Sequence, residues 1–186
     1  GAAQVTKCYN TCFILQNEKE YLLVDAGGGN QILTILEQKN IDINEIKNIF
    51  VTHSHTDHVL GIIWMIRIIA QKMLHGGYKE NLNLYAHIEL IQKIKTICEL
   101  VLPGKFIKLF DDRIKFIEVK DGEEKQIINM NLIFFDIDSK KEKQFGFVIK
   151  SEEQKIVFAG DEPLKAENSE KYLSNADWFL TEAFCK

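Results

Sequence analysis

A long apolar segment in the first half of the chain limits what this sequence can fold into. Residues 59–74 predict a helix that is apolar on nearly every side, so other elements must cover it. Its most apolar part, Val59–Ala70, contains Arg67 and is too short to cross a bilayer. We therefore expect a buried helix inside a layered domain rather than a membrane anchor.

The segments around this helix predict strands alternating with helices. "CFILQNEKEYLLVDAGGG" predicts two strands around a polar turn at residues 17–20, followed by a glycine-rich loop. "IKNIFVTH" and "LNLYAH" predict short strands. Helices are predicted over residues 31–39 and over a stretch starting at Ile88, which Pro103 ends.

The second half is richer in strands, which we predict to pair mostly as hairpins. The candidates are "RIKFIEVK", "NLIFFDID", "QFGFVIK" and "KIVFAGD", separated by turn signals such as "DGEE". Phe145, Phe147 and Ile149 alternate with smaller or polar residues, which predicts a half-buried strand. A short helix around residues 167–173 leads into "ADWFLTEAF". The pattern predicts an α/β (α+β) fold with two mixed sheets packed face to face and helices outside.

The length of the chain is typical of one globular domain. Its net charge gives it no general electrostatic attraction for nucleic acid. The chain has 186 residues, 46% of them hydrophobic, and a net charge of −4. Its four cysteines are too scattered for a zinc knuckle and predict free thiols, with a Cys8–Cys12 redox or metal-binding pair as the minor alternative. We expect a cytoplasmic protein with no membrane partner. The opening "GAAQV" and the final "TEAFCK" lead us to expect a portion of a longer protein, truncated at both ends.

A dense cluster of histidines comes directly before the apolar helix. "HSHTDH" holds three of the chain's five histidines and one carboxylate. The ordinary alternative is a polar loop with surface histidines, but the density of the cluster favours metal binding. His53 and His55, two apart on extended backbone, point the same way and can hold one ion. Asp57 and His58, at the turn into the helix, can hold a second.

Two further carboxylates end predicted strands. Asp25 precedes "AGGG", and Asp161 ends "IVFAGD" beside two small residues that let the backbone approach a ligand. Each alone would be a turn or capping residue. Together with the histidine cluster they favour a role in the site, since sites are commonly built on the loops at strand ends.

These motifs resemble those of the metallo-β-lactamase-fold hydrolases. "HSHTDH" matches the HxHxDH signature, "LLVDAG" the preceding aspartate motif and "FAGD" the later one. Within that family the chain resembles the ribonuclease Z and small phosphodiesterase branch. The resemblance implies a four-layer αβ/βα sandwich, with residues 1–186 as one incomplete hydrolase domain.

The resemblance also implies a site with two divalent ions, expected to be Zn²⁺ with Mn²⁺ or Fe²⁺ as alternatives. His53 and His55 would hold the first ion and Asp57 and His58 the second, with Asp161 bridging them. Asp57 and Asp161 would be the catalytic residues, because they hold the ions that share and activate a water. Asp25 would sit behind the ligands and orient them.

Three departures from the family pattern affect this assignment. Asp138 stands where the family has a further histidine ligand, and is a ligand, an inactivating change or a turn residue. The last histidine ligand of the family is expected beyond Lys186. In "LTEAF", Thr181 replaces the proton-donating histidine of ribonuclease Z, whereas Glu182 remains as a residue behind the ligands.

Two functions therefore remain open. The first is a metal-dependent hydrolase of a phosphodiester, or of a small ester or lactone, with RNA as an alternative substrate. The second is a non-catalytic binding or scaffold protein with a degenerate metal site. A homodimer is left open as the assembly state.

Overall fold

The structure is a computed structural model and describes residues 7–151 and 154–181. It divides the chain into two compact units, one running up to Glu118 and the other starting at Val119. Each unit has its own five-stranded sheet. Among the described helices, none combines the length and the apolar character that crossing a membrane requires.

The first unit contains a mostly parallel sheet. Its strands are β1 (Phe13–Asn17), β2 (Glu20–Val24), β3 (Ile46–Phe50), β4 (Leu82–Ala86) and β5 (Ile114–Glu118). They lie side by side in chain order. β1 and β2 form the predicted antiparallel hairpin, whereas β2 to β5 run parallel. Parallel neighbours need long crossover connections, and the connections between β2 and β5 contain helices.

These helices are α1 (Gln31–Gln38), α2 (Thr56–Leu74), α3 (Ile88–Val101) and α4 (Gly104–Ile107). α2 contains the apolar segment of residues 59–74, and its Ile62, Ile66 and Ile69 are fully buried. They belong to the same hydrophobic core as Leu23 of β2 and other strand residues. The expectation that this helix is covered on most sides is confirmed.

The polar residues of interest follow the carboxyl ends of the parallel strands. Asp25 follows β2, the histidine cluster follows β3, and His87 follows β4. The Asp25 N–H donates to the Phe50 carbonyl and the Val51 N–H to the Tyr85 carbonyl, both at 2.9 Å, which keeps these strand ends level. In open sheets with parallel strands this edge is where ligands bind.

The second unit contains a mostly antiparallel sheet. Its strands are β6 (Glu124–Ile127), β7 (Met130–Asp136), β8 (Phe145–Lys150), β9 (Lys155–Phe158) and β10 (Trp178–Leu180). Neighbours pair antiparallel from β6 to β9, and β10 joins β9 in parallel. A short helix α5 (Ala166–Asn168) continues as a π-helical turn over Ser169–Leu173. Tyr172 of that turn packs into a small core with Phe135, Val148 and Val157.

The structure corrects four predictions of elements. β5 pairs in parallel with β4 and so completes the first sheet, instead of forming a hairpin in the second half. "DGEE" is not only a turn, because β6 starts at Glu124 and pairs with β7. Helix α2 begins at Thr56 rather than at residue 59. β8 is buried on both faces from Phe145 to Ile149, so it is not half-buried.

Gly146 explains how β8 can be buried on both faces. A Cβ atom at this position would lie 2.3 Å from the Phe158 carbonyl oxygen and 2.8 Å from the Phe135 ring. The missing side chain therefore lets the neighbouring groups close over the strand.

Candidate metal centre

The loop after β2 places Asp25 at the sheet edge in an unusual backbone conformation. Asp25 has φ +53° and is 1% exposed. Few residues other than glycine adopt this left-handed conformation, and aspartate is among those that do. Because the backbone turns here, the carboxylate is held under the β3–α2 connection instead of continuing along the strand.

Tyr9 and Gly61 hold this loop from two sides. The Tyr9 hydroxyl lies 2.8 Å from the Ala26 carbonyl and 2.7 Å from the Gly29 carbonyl, and it accepts the Gly29 N–H at 3.2 Å. Burial raises the pKa of this phenol. On the other side, the Gly61 N–H in α2 donates to the Gly27 carbonyl at 2.8 Å. The glycine loop is thus fixed both to the segment before β1 and to the helix that follows the histidines.

The three histidines of "HSHTDH" converge at the end of β3. His53 and His58 are fully buried, and their ring centroids are 4.2 Å apart. His55 is exposed, and its Nδ1 lies 2.9 Å from Nε2 of His53. The cluster is therefore half enclosed, with two imidazoles inside and one at the surface.

Asp57 and His58 lie in the first turn of α2. His55 is the residue before the helix, in extended conformation, so the chain changes direction inside the motif. Nε2 of His58 lies 3.8 Å from Oδ2 of Asp57, whose side chain is largely buried. A carboxylate at a helix N-terminus is also stabilised by the unpaired N–H groups there.

One carboxylate connects the buried histidines from behind. Oδ2 of Asp25 accepts from Nδ1 of His58 at 2.7 Å and from the Thr52 hydroxyl at 2.8 Å, while Oδ1 accepts the Thr52 N–H at 2.9 Å. Oγ1 of Thr52 also lies 2.8 Å from Nδ1 of His53. The sequence predicted a role in the site for Asp25 but gave no such prediction for Thr52. Its position directly before the first histidine was the only signal available.

A lysine lies beside the motif. Nζ of Lys93, on the exposed face of α3, donates to Oγ of Ser54 at 3.0 Å. Ser54 is the residue between His53 and His55, so this contact places an ammonium group next to the cluster.

The remaining predicted residues belong to the second unit. Asp161 is half-buried and follows β9 after Gly160, which has φ +67°. Asp138 is exposed, has φ +60°, and its N–H donates to Oδ1 of Asp136 at 2.8 Å. Its carboxylate accepts a hydrogen bond from Nζ of Lys165 and forms an ion pair with it. Glu182 lies outside the described residues.

The donor set of the first unit fits divalent metal ions. Nε2 of His53 and Nδ1 of His55 face each other at 2.9 Å. Two nitrogens on one zinc ion, each at about 2.0–2.1 Å from it, lie on the order of 3 Å apart. The 3.8 Å between Nε2 of His58 and Oδ2 of Asp57 also lets both contact a single ion. Histidines that bind metal through one ring nitrogen usually form a hydrogen bond to a supporting group through the other, as both buried rings do here.

Curated relatives of the chain include nucleases. It is 31% identical over 104 residues to exodeoxyribonuclease YycJ of Bacillus anthracis, an alignment that covers 55% of this chain and 38% of that protein. It is 35% identical over 98 residues to ribonuclease Z of Methanococcus maripaludis, covering 52% of this chain and 30% of the relative. The chain thus spans between three tenths and two fifths of the length of these relatives.

Solved structures share the fold over most of the chain. YhfI of Bacillus subtilis, a metallo-β-lactamase fold protein, superposes with a TM-score of 0.72 at 18% identity, covering 94% of this chain and 65% of that one. The short form of human tRNase Z superposes with a TM-score of 0.65 at 19% identity, covering 91% and 69%. The predicted metallo-β-lactamase fold is confirmed, and so is the predicted resemblance to ribonuclease Z.

A sequence profile describes the family more narrowly. The profile of "Anti-Pycsar protein Apyc1" matches residues 1–185, which is nearly the whole chain. This protein is therefore a member of the Anti-Pycsar protein Apyc1 family, built on the metallo-β-lactamase fold.

Proposed function

We propose that the protein is a metal-dependent hydrolase of phosphodiester bonds. The observation that carries the proposal is the convergence of His53, His55 and His58 at the sheet edge, with both buried rings supported from behind. Several curated relatives are named as ribonucleases or exodeoxyribonucleases, which supports a phosphodiester over a small ester or lactone.

In this proposal His53 and His55 would hold one ion and Asp57 and His58 the other, and Asp161 is the further predicted ligand. When bound, the ions polarise the phosphoryl group and activate a water for attack. Nitrogen and oxygen donors together suit Zn²⁺, with Mn²⁺ and Fe²⁺ as alternatives. Asp25 and Thr52 keep the buried rings in place, and Lys93 puts a positive charge near the anionic substrate.

The test uses bis(p-nitrophenyl) phosphate as a generic phosphodiester and p-nitrophenyl acetate as a neutral ester. The purified chain, freed of metal with a chelator and then supplied with Zn²⁺ or Mn²⁺, should hydrolyse the phosphodiester and lose this activity on renewed chelation. His53→Ala should abolish the activity. His75→Ala is the matched control, because His75 is exposed at the far end of α2 and should leave turnover unchanged.

One observation favours a second candidate, a non-catalytic binding protein with a degenerate metal site. Asp138 is exposed and paired with Lys165, as expected of a turn residue. If zinc binds tightly while bis(p-nitrophenyl) phosphate, p-nitrophenyl acetate and a short single-stranded RNA all remain intact, the hydrolase proposal fails and this second candidate is supported. Size-exclusion chromatography with light scattering would test the homodimer in the same preparations.

A further inference from the structure

Thr52 occupies a position from which it contacts both the supporting carboxylate and the first histidine. It is fully buried, as is His53, and its Oγ1 lies 2.8 Å from both Oδ2 of Asp25 and Nδ1 of His53. The backbone N–H of Thr52 donates a hydrogen bond to Oδ1 of Asp25 at 2.9 Å. Two contacts to the same carboxylate leave the side chain little freedom to rotate.

The position of one proton decides what Thr52 does. An ionised carboxylate can only accept hydrogen bonds, whereas a hydroxyl has a single proton to donate. The 2.8 Å contact with Asp25 uses that proton. Toward His53, the same hydroxyl can therefore only accept, so Nδ1 of His53 must carry a proton. The opposite arrangement would leave two lone pairs facing each other between Thr52 and Asp25, in a buried place where unmade hydrogen bonds are costly.

The same logic extends along the motif. A neutral imidazole with a proton on Nδ1 has a bare Nε2, and a bare nitrogen is the one that binds metal. His58 also donates from Nδ1 to Asp25, at 2.7 Å. Nε2 of His53, left bare, faces Nδ1 of His55. Asp25 thus accepts a hydrogen bond from the Thr52 hydroxyl and another from Nδ1 of His58.

We infer that Thr52 is a positioning residue that fixes the tautomer of His53, so that Asp25 and Thr52 together present bare Nε2 atoms on both buried histidines before any metal arrives. The inference rests on the proposed metal-binding function. Without Thr52, Nδ1 and Nε2 of His53 would compete for the proton, and part of the molecules would present the wrong nitrogen. Loss of a group behind a metal ligand typically weakens metal affinity by about tenfold to a hundredfold.

The test compares Thr52→Val with Thr52→Ser. Valine keeps the branched shape of threonine but has no hydroxyl, whereas serine keeps the hydroxyl and loses only a methyl group. Zinc affinity, measured by competition with a chromophoric chelator, should fall by about tenfold to a hundredfold in Thr52→Val and be restored in Thr52→Ser. Circular dichroism and thermal melting establish that both variants are folded.

A second measurement reads the tautomer directly in the metal-free protein. Long-range ¹⁵N–¹H correlation spectra distinguish a protonated Nδ1 from a protonated Nε2. His53 of the unchanged protein and of Thr52→Ser should show the Nδ1–H form, and Thr52→Val should show a mixture. An Nε2–H form in the unchanged protein, or unchanged zinc affinity in folded Thr52→Val, would overturn the inference. Because neither readout involves turnover, failure to hydrolyse any phosphodiester would count against the proposed function alone.

Discussion

At the scale of single residues, the two buried histidines depend on the groups behind them. Oδ2 of Asp25 contacts both Nδ1 of His58 and the hydroxyl of Thr52, and that hydroxyl contacts Nδ1 of His53. Tyr9 in turn holds the loop after Asp25 through the Ala26 and Gly29 carbonyls. Substitutions of single residues therefore test the assignments made for this part of the molecule.

Asp138 gives the first prediction at this scale. If this position should hold a metal ligand, Asp138→His should raise zinc content or zinc affinity, since imidazole reaches further than a short carboxylate. Histidine also tolerates the left-handed backbone found here, φ +60°. Elemental analysis after zinc supplementation is the measurement.

The control for this change is Lys165→Met, which removes the partner of Asp138 and leaves the carboxylate in place. If Asp138→His binds no more zinc than the unchanged protein, Asp138 is a turn residue and does not stand in the place of the family's histidine ligand. If Lys165→Met alone raises zinc content, the carboxylate itself is a ligand that the ion pair restrains.

Cys12 gives a second prediction, on thiol reactivity. Burial, and then the negative charge of Asp25, raise the pKa of the Cys12 thiol to about 11. The thiolate is the reactive form, so Cys12 should resist alkylation near neutral pH and react faster only as the pH rises toward its pKa. Iodoacetamide labelling at a series of pH values, followed by peptide mass spectrometry, measures this.

Cys8 and Cys98 are internal controls for the labelling. Cys8 is exposed and should react first, whereas Cys98 is buried, and burial raises its pKa to about 12. Equal labelling of Cys8 and Cys12 at pH 7.5 would show that the Cys12 thiol is not shielded beside Asp25.

At the level of elements, pairing within a segment was predictable and pairing between distant segments was not. The β1–β2 hairpin and most element bounds follow from local patterns. β5 looks like a hairpin strand, yet it pairs with β4, because a strand's side-chain pattern does not identify its neighbour. β6 was missed because "EKQI" contains mostly polar residues, as an outermost strand of a sheet can.

The contact between α2 and the glycine loop gives a prediction on packing. A Cβ atom at Gly61 would lie 1.8 Å from the Ala26 carbonyl oxygen, so Gly61→Ala should force the helix away from the loop that carries Asp25. Overpacking of this kind costs about 1–3 kcal/mol or more. The melting temperature should fall by about 2–4 °C for each kcal/mol in a protein of this size.

Gly29→Ala is the matched control, because nothing lies within 4 Å of a Cβ atom there. Helix propensity alone would make alanine at Gly61 more favourable than glycine by about 1 kcal/mol, so only the close contact with Ala26 predicts a loss of stability. A Gly61→Ala protein as stable as the unchanged one would therefore contradict the close approach described for α2.

At the scale of the whole molecule, the motifs in the sequence predicted the fold family. The composition served only to exclude classes of function. A net charge of −4 argues against bulk electrostatic binding of nucleic acid but does not choose a substrate. The division after Glu118 was not predicted, because no change in composition or linker marks it. That residues 1–186 belong to one hydrolase domain stays a prediction.

Metal binding should be visible in the stability of the whole chain. A ligand that binds only the folded state adds about 2.7 kcal/mol of stability when present at a hundred times its dissociation constant. Zinc should therefore raise the melting temperature of the chelator-treated protein, and His55→Ala should reduce the rise while His75→Ala keeps it. A melting temperature that zinc leaves unchanged would mean that the histidine cluster does not bind zinc in the folded protein.

The first unit is one unbroken stretch of chain that ends at Glu118, and this has a consequence during translation. His53, His55, His58 and the groups that support them all leave the ribosome before any residue of the second unit exists. Ribosomes add about 5–20 residues per second, and the N-terminal part of a chain generally folds first. The imidazoles can thus gather before the second unit has been synthesised in full.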